Sequence, residues 1–368
     1  MTIEKHRQNL INDLRGVELN ATLGSEIEKQ SALVIQNAEN RNPFVIQQAG
    51  TGSLRLTDNG LAGEILIGDQ KFVARFDTGS ADSWVPSSTC TSDPCNTRTK
   101  YDDTKSPTYG PGERKYSDGS SVSGDVKSDN VNVEGIIATG QFFIAATAIS
   151  NHFKDRHYDG VIGMAMSRSR TGLSKDPFFV TATNQRKVAK SQFAFKLSPP
   201  ASLYLGGVDD SLYTGEIEFH SLLDNGPLWR LGQASISIGS DKVLSGLRTI
   251  IDTGAEMILG PPEEVQTFYS KIPNSEMCNV EGIDFHLWPC PPGQPLPQVS
   301  FSWDGKSWPV SIHRTTSIEP GGIFCVGNIG GRDFGHGEKV WLVGEPLLKN
   351  VYTIFSLEDD TLGFAALE

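Results

Sequence analysis

The sequence predicts an all-β chain folded as two similar lobes. Three observations carry this. Most of the chain reads as short β runs broken by Gly, Pro, Asn and Asp. The tripeptide Asp-Thr-Gly closes an apolar, strand-like run twice, in "RFDTGSADSW" (75–84) and "TIIDTGAEMI" (249–258), 175 residues apart (252 − 77). Each copy is followed at similar distance by an apolar pair ending in Gly. "DGVIGMA" places Gly163 86 residues after Asp77 (163 − 77), and "VWLVGEP" places Gly344 92 residues after Asp252 (344 − 252). A chain of 368 residues has room for roughly two domains of this kind.

The elements follow in order. "EKHRQNLINDLRG" reads as a short basic amphipathic helix with Leu10, Ile11 and Leu14 on one face, and polar sequence continues to about Gly52. "AGEILIGDQKFVARFD" alternates like a hairpin with Gly68-Asp69 at its turn. "SVSGDVKSDNVNV", "GQFFIAAT", "SQFAFKLS" and "VYTIF" read as further strands. One helix start is clear in "GPPEEVQTFYSKI". There Pro261-Pro262 and Glu263-Glu264 suit a first turn, and Val265, Phe268 and Tyr269 share a face.

Composition narrows the function classes. A formal charge of −12 argues against nucleic acid or an anionic membrane as the main partner and suits an acidic milieu. No apolar run reaches the ~18 residues of a membrane span, and "MTIEKHRQNL" lacks the apolar region of a signal peptide. The seven His and five Cys form neither H-E-x-x-H nor C-x-x-C, so neither metal nor cofactor is expected.

The stretches "FDTGSADSWVPSSTC", "YSDGSSVSG", "YDGVIG", "LYLGGVDDSLYTG", "IIDTGA" and "VYTIFSLEDDTLGFA" fall in one order that resembles the pepsin family of aspartic endopeptidases, in its fungal form. The likeness runs from about Leu54 to Glu368 and more faintly through the first 50 residues. It implies a bilobal fold with the active-site cleft between an N-terminal lobe (54–190) and a C-terminal lobe (191–368), preceded by a propeptide-like segment (1–53). It also implies a monomer that takes peptide or protein substrates and binds pepstatin-type inhibitors.

Hydrolysing an amide without a metal or a nucleophilic side chain requires an activated water and a proton for the carbonyl oxygen. Two carboxyl groups sharing one proton supply both, and their titrations then belong to the pair. Asp77 and Asp252 are that pair, one from each repeat. Gly79 and Gly254 let backbone N–H groups approach the carboxylates, and Thr78 and Thr253 resemble the family's inward threonines, which brace the two loops. Ser80 can donate to Asp77, whereas Ala255 has no hydroxyl for Asp252. "KYSDGSSVSG" resembles the flap that closes over substrate. Tyr116 matches its tyrosine and Trp84 the indole partner; Ser117 stands where relatives usually carry Gly. Asp118 matches an acid of fungal members that accept Lys on the acyl side of the scissile bond. Together these residues imply cleavage between bulky apolar residues at acidic pH.

The resemblance also implies two small disulfide loops, Cys90–Cys95 and Cys278–Cys290, with Cys325 left as a buried thiol. Disulfides imply an oxidising compartment, extracellular or vacuolar. In the N-terminal segment, "RQNLI" and "RNPF" (41–44) resemble prosegment motifs, and Asn20-Ala-Thr is the single glycosylation sequon. No Lys or Arg lies between Asn42 and Ser53, where prosegments usually place a Lys on both aspartates; Lys29 or Arg41 could substitute. Two other readings compete with the endopeptidase: a pepsin-fold protein that binds without cleaving, and an intracellular enzyme of other chemistry on the same fold. Retention of both Asp and of Tyr116 favours the endopeptidase.

Overall fold

The computed structural model describes residues 50–57, 61–166, 173, 175–291, 293, 295–318, 322–334 and 339–368. The N-terminal helix, the sequon at Asn20, the "RNPF" motif, Lys29 and Arg41 lie outside the described residues. Strand β1 (Gly52–Arg55) starts two residues inside the segment assigned to 1–53, because Gly52 and Ser53 already pair with Leu205 and Tyr204.

Among the described residues, the strands form three sheets. The first comprises β2 (Ala62–Ile67), β3 (Gln70–Asp77), β4 (Trp84–Pro86), β5 (Pro111–Lys115), β6 (Ser121–Val133), β7 (Ile136–Ile149) and β8 (Gly160–Gly163), in the order β2-β3-β8-β4-β7-β6-β5. Strands β9 (Gln192–Lys196), β10 (Ser202–Leu205) and β11 (Tyr213–Ser221) belong to a six-stranded sheet described below. The eleven-stranded sheet begins with β12 (Arg230–Ile238), β13 (Asp241–Ile251), β14 (Ile258–Gly260), β15 (Glu276–Val280) and β16 (Ile283–Pro289). It continues with β17 (Val299–Ser302), β18 (Trp308–Val310), β19 (His313–Ile318), β20 (Gly322–Gly327), β21 (Ile329–Gly331) and β22 (Trp341–Val343), and these eleven make one sheet. Finally β23 (Val351–Ser356) and β24 (Thr361–Leu367) complete the six-stranded sheet, ordered β1-β10-β9-β23-β24-β11. This sheet draws strands from both ends of the described chain.

The hairpin expected at Gly68-Asp69 is β2–β3, with Ile67 opposite Gln70. Its alternation buries Phe72, Ala74 and Phe76. The helix expected after Pro261 spans Pro262–Tyr269 and buries Val265, Phe268 and Tyr269. The six-stranded sheet packs through aromatic rings. Phe193 stacks on Phe355 at 4.9 Å between centroids, and Trp229 meets Phe355 edge-on at 5.1 Å. Such pairs contribute about 0.5–1.5 kcal/mol each beyond area burial.

The sequence repeat is a structural repeat. In the first lobe β3 runs parallel to β8, with Asp77 beside Gly163, and β4 crosses antiparallel, with Trp84 opposite Val161. In the second lobe β13 runs parallel to β22, with Ile251 beside Val343, and β14 crosses antiparallel, with Leu259 opposite Leu342. Trp84 and Leu259 each stand seven residues past their Asp (84 − 77 and 259 − 252). Each Asp therefore sits where its strand ends between two neighbours and the chain must turn out of the sheet. Gly163 and Gly344 explain the conserved grammar of the two apolar pairs: a Cβ on Gly163 would overlap the Ala81 carbonyl, and one on Gly344 the Ala255 carbonyl. Each glycine gives its own lobe's turn room to pass.

One expectation is overturned. Cys90–Cys95 forms, with Cα atoms 6.1 Å apart, but the second disulfide is Cys290–Cys325 at 5.7 Å and not Cys278–Cys290. Cys278 on β15 faces Phe285 on β16, five residues short of Cys290. At ~3.3 Å per extended residue that offset is about 16 Å, well beyond disulfide reach. Cys325 on β20 pairs with Trp288, near the end of β16, and so lies beside Cys290. Cys278 remains a buried thiol, the state expected for Cys325.

Candidate active site

The two turns meet across the lobes. The Thr78 hydroxyl donates to the Ile251 carbonyl (3.0 Å) and accepts from the Thr253 amide (2.9 Å). The Thr253 hydroxyl donates to the Phe76 carbonyl (2.8 Å) and accepts from the Thr78 amide (3.0 Å). Both threonines are fully buried. Four reciprocal bonds between solvent-inaccessible groups leave the turns one mutual register, since a lost partner would strand a buried polar group at about 1–3 kcal/mol.

That register sets the carboxyl groups face to face. The Gly79 amide donates to Asp77 Oδ1 (2.9 Å) and the Gly254 amide to Asp252 Oδ1 (2.6 Å). A Cβ on Gly79 would overlap the Asp252 carboxyl, and a Cβ on Gly254 would overlap that of Asp77. Each turn's glycine is thus packed against the opposite lobe's acid. Burial, the adjacent Asp77 charge and a hydrogen bond that protonated Asp252 donates to Asp77 hold Asp252 well above the usual carboxylate range, against the pull of the Gly254 amide and of Arg75. Ser80 adds a short hydroxyl bond to Asp77 Oδ2. Ala255 offers no equivalent.

The flap residues expected from sequence also come together. Trp84 Nε1 donates to the Tyr116 hydroxyl (2.9 Å), and Phe153 meets both rings edge-on, at 5.1 and 5.8 Å. Burial, with the Asp77 charge behind it, drives the Tyr116 phenol strongly upward, so it stays neutral. Ser117 and Asp118 are exposed at the turn between β5 and β6. Asp118 Oδ1 accepts from the Ser120 amide (2.8 Å) and hydroxyl (2.6 Å), so one of its oxygens belongs to the turn itself.

Sequence reasoning missed four contributors. Phe153 has no distinguishing local pattern. Asp82, inside the first motif, is buried, takes the Leu173 amide at 2.9 Å and lies 3.9 Å from Arg114 of β5. Burial raises its carboxyl above the ordinary value, against the Leu173 amide and Arg114. Arg114 in turn lies over the Tyr116 ring at 5.1 Å, linking the flap strand to the first turn. Arg75 is a charge inside an apolar strand, two residues before Asp77. That anomaly was the available signal.

Two buried carboxyls that share a hydrogen bond, presented by matched turns of a two-lobed β fold, are the arrangement that hydrolysis by an acid pair requires. Residues 61–367 match the family model described as eukaryotic aspartyl protease. An aspartic protease of Phaffia rhodozyma is 34% identical over 350 residues, covering 92% of this chain and 85% of that protein. Cathepsin D of Clupea harengus is 30% identical over 323 residues (82% and 80%), and aspergillopepsin-1 of Aspergillus flavus 30% over 315 (82% and 75%). The chain belongs to the eukaryotic aspartyl protease family and is an aspartic endopeptidase. Among the described residues, no helix is long and apolar enough to cross a membrane.

Proposed function

We propose that Asp77 and Asp252 are the catalytic pair and hydrolyse internal peptide bonds in acid. One carboxylate takes the proton of a water held between them while the protonated partner donates to the substrate carbonyl, giving a tetrahedral species that collapses to amine and acid. The observation that carries the reading is the contact of each turn's glycine with the opposite carboxyl. It brings the acids close enough for one proton to be retained while the other is lost. Asp252→Asn is expected to abolish turnover while leaving circular dichroism and melting temperature close to the parent. Full peptidase activity in that variant would remove the pair from the mechanism.

Thr78, Gly79, Ser80, Thr253 and Gly254 support the pair in this reading. Tyr116, Ser117 and Asp118 contact substrate, with cleavage between bulky apolar residues; Trp84, expected among them, is fully buried and acts by holding the Tyr116 hydroxyl. Pepstatin-type statines bind the cleft, because their hydroxyl stands where the attacking water would. The second oxygen of Asp118 pairs with Lys on the acyl side of the bond. Asp118→Ser is then expected to lower kcat/KM for Lys substrates about tenfold and for Phe substrates little. Equal losses would make Asp118 a turn residue only. Residues 1–53 act as a prosegment ahead of lobes at 54–190 and 191–368, and the mature enzyme is a monomer outside the cell or in a vacuole.

A further inference from the structure

Arg75 interrupts the run Phe72-Val73-Ala74-Arg75-Phe76 and is only 7% exposed. A buried guanidinium requires partners. It finds them across the lobe boundary, where Nη2 donates to the carbonyls of Gly254 (3.0 Å) and Thr253 (3.4 Å), both in the second turn. Glu256, immediately after that turn, lies 3.4 Å from Nη1, and Glu345, beside Gly344, lies 3.8 Å from Nη2. The Tyr158 ring lies under the guanidinium at 5.9 Å. The charged groups facing this cluster are Asp77 and Asp252, then Arg98 over the same Tyr158 ring (5.7 Å), Arg156 on Glu256, and Lys349 on Glu345 (2.5 Å).

The second half has nothing like it. The position two before Asp252 is Ile250. The two turns are therefore supported in different ways. The first has its own hydroxyl, Ser80, on Asp77. The second lacks a hydroxyl at Ala255 and is held from behind by a cation of the other lobe.

We infer that Arg75 is a positioning residue for Asp252, holding the Thr253-Gly254 backbone so that the Gly254 amide stays on the carboxyl, and supplying from the first lobe the support that Ala255 cannot give. The inference rests on the proposed catalytic role of Asp252. Arg75 touches neither the reacting atoms nor the flap. It acts through the turn's carbonyls and through its charge, which favours ionised Asp252. Without it, the pair should hold its second proton to higher pH, and the turn should lose the alignment that makes the retained proton useful.

The experiment compares Arg75→Met, Arg75→Lys, Ala255→Thr and the double variant Arg75→Met/Ala255→Thr on one chromogenic peptide, with kcat and KM across pH and melting temperatures recorded. Arg75→Met should lower kcat about tenfold with KM within about twofold, and should move the alkaline limb of the kcat/KM profile upward. Arg75→Lys should leave the limb near the parent's, because the charge remains, while kcat still falls about threefold because the planar fork is lost. In the double variant the added hydroxyl should bring the limb back toward the parent, a compensation that general destabilisation does not produce. An Arg75→Met profile that superimposes on the parent overturns the inference. So does one that loses activity only in step with its melting temperature, with the limb unmoved. Should Arg75→Met fail to fold, Arg75→Lys decides: parental kcat and limb overturn the positioning role. Asp252→Asn, run alongside, separates the two questions. Activity in that variant overturns the catalytic reading, whereas an inactive Asp252→Asn with an unaltered Arg75→Met overturns this inference alone.

Discussion

The first and second Asp-Thr-Gly turns share a backbone and differ in their surroundings. Both end a strand flanked by the same pair of neighbours, both point a threonine into the opposite lobe, and both lay a glycine against the opposite acid. Around that frame, Asp77 receives a hydroxyl from Ser80, while Asp252 receives none from Ala255 and faces a cation anchored in the first lobe. The lesson is that the two turns share what fixes geometry and differ in their electrostatics. Reciprocal bonds between the lobes cannot change on one side without stranding a group on the other. A donor at the rim of a carboxylate can be exchanged for another source of the same stabilisation.

The comparison is broken most severely at its frame. Gly163→Ala and Gly344→Ala should each cost more than about 3 kcal/mol, since the new methyl meets carbonyl backbone that cannot yield. Denaturant unfolding of both variants checks this, and a tolerated alanine at either site would mean the two turns do not pass their strands alike. Next come the braces. Thr78→Val and Thr253→Val each remove a buried donor and acceptor at constant shape, and each should cost about 2–4 kcal/mol by the same assay. Equal losses would support a symmetric brace, and losses differing by more than about 1 kcal/mol would locate the stability in one lobe.

Smaller effects test the electrostatic difference. Ser80→Ala withdraws a donor that favours the ionised pair, so the bell-shaped activity profile should move toward higher pH. Ala255→Thr adds one and should move it toward acid. Each shift should stay below about one pH unit, because water partly replaces a lost hydroxyl. Profiles of both variants on one peptide would sink the idea if they moved in the same direction.

The last asymmetry concerns stability. His286 is buried in the second lobe with its ring stacked on Tyr269 at 4.0 Å, and burial depresses its pKa to about 4, against a minor opposing pull from Asp284. The unfolded chain takes up this proton near the ordinary value of ~6.5, the folded chain only near 4. Stability is therefore held above about pH 6.5 and is progressively lost as pH falls to about 4. His286→Phe keeps the stack and removes the titration, so its melting temperature should gain on the parent's as pH drops through that window. A gap that stays constant with pH would show that His286 already carries its proton in the folded state.

What the sequence determined by itself was whatever depends on near neighbours. Alternation with period two marked β2 and β3, a short β run broken by turn residues marked β6, turn chemistry marked Gly68-Asp69, and a Pro-Pro-Glu-Glu start marked the helix at Pro262–Tyr269. The repeated Asp-Thr-Gly was legible for the same reason, because each turn is a local solution to one problem. The partners of those turns were not. Cys290 chose Cys325 over Cys278 through the register of β16 against β20, which no spacing along the chain encodes. Arg75 was visible only as a misplaced charge until its carbonyl acceptors, 178 and 179 positions away, were beside it. Asp82 carries no local mark within the first motif, and only burial leaves it facing Arg114. A side chain's conformation and periodicity are set within a few residues, so they can be read from sequence. Its charge state and its partners are set by what packing removes from water, and only the folded lobes, closed on each other, decide that.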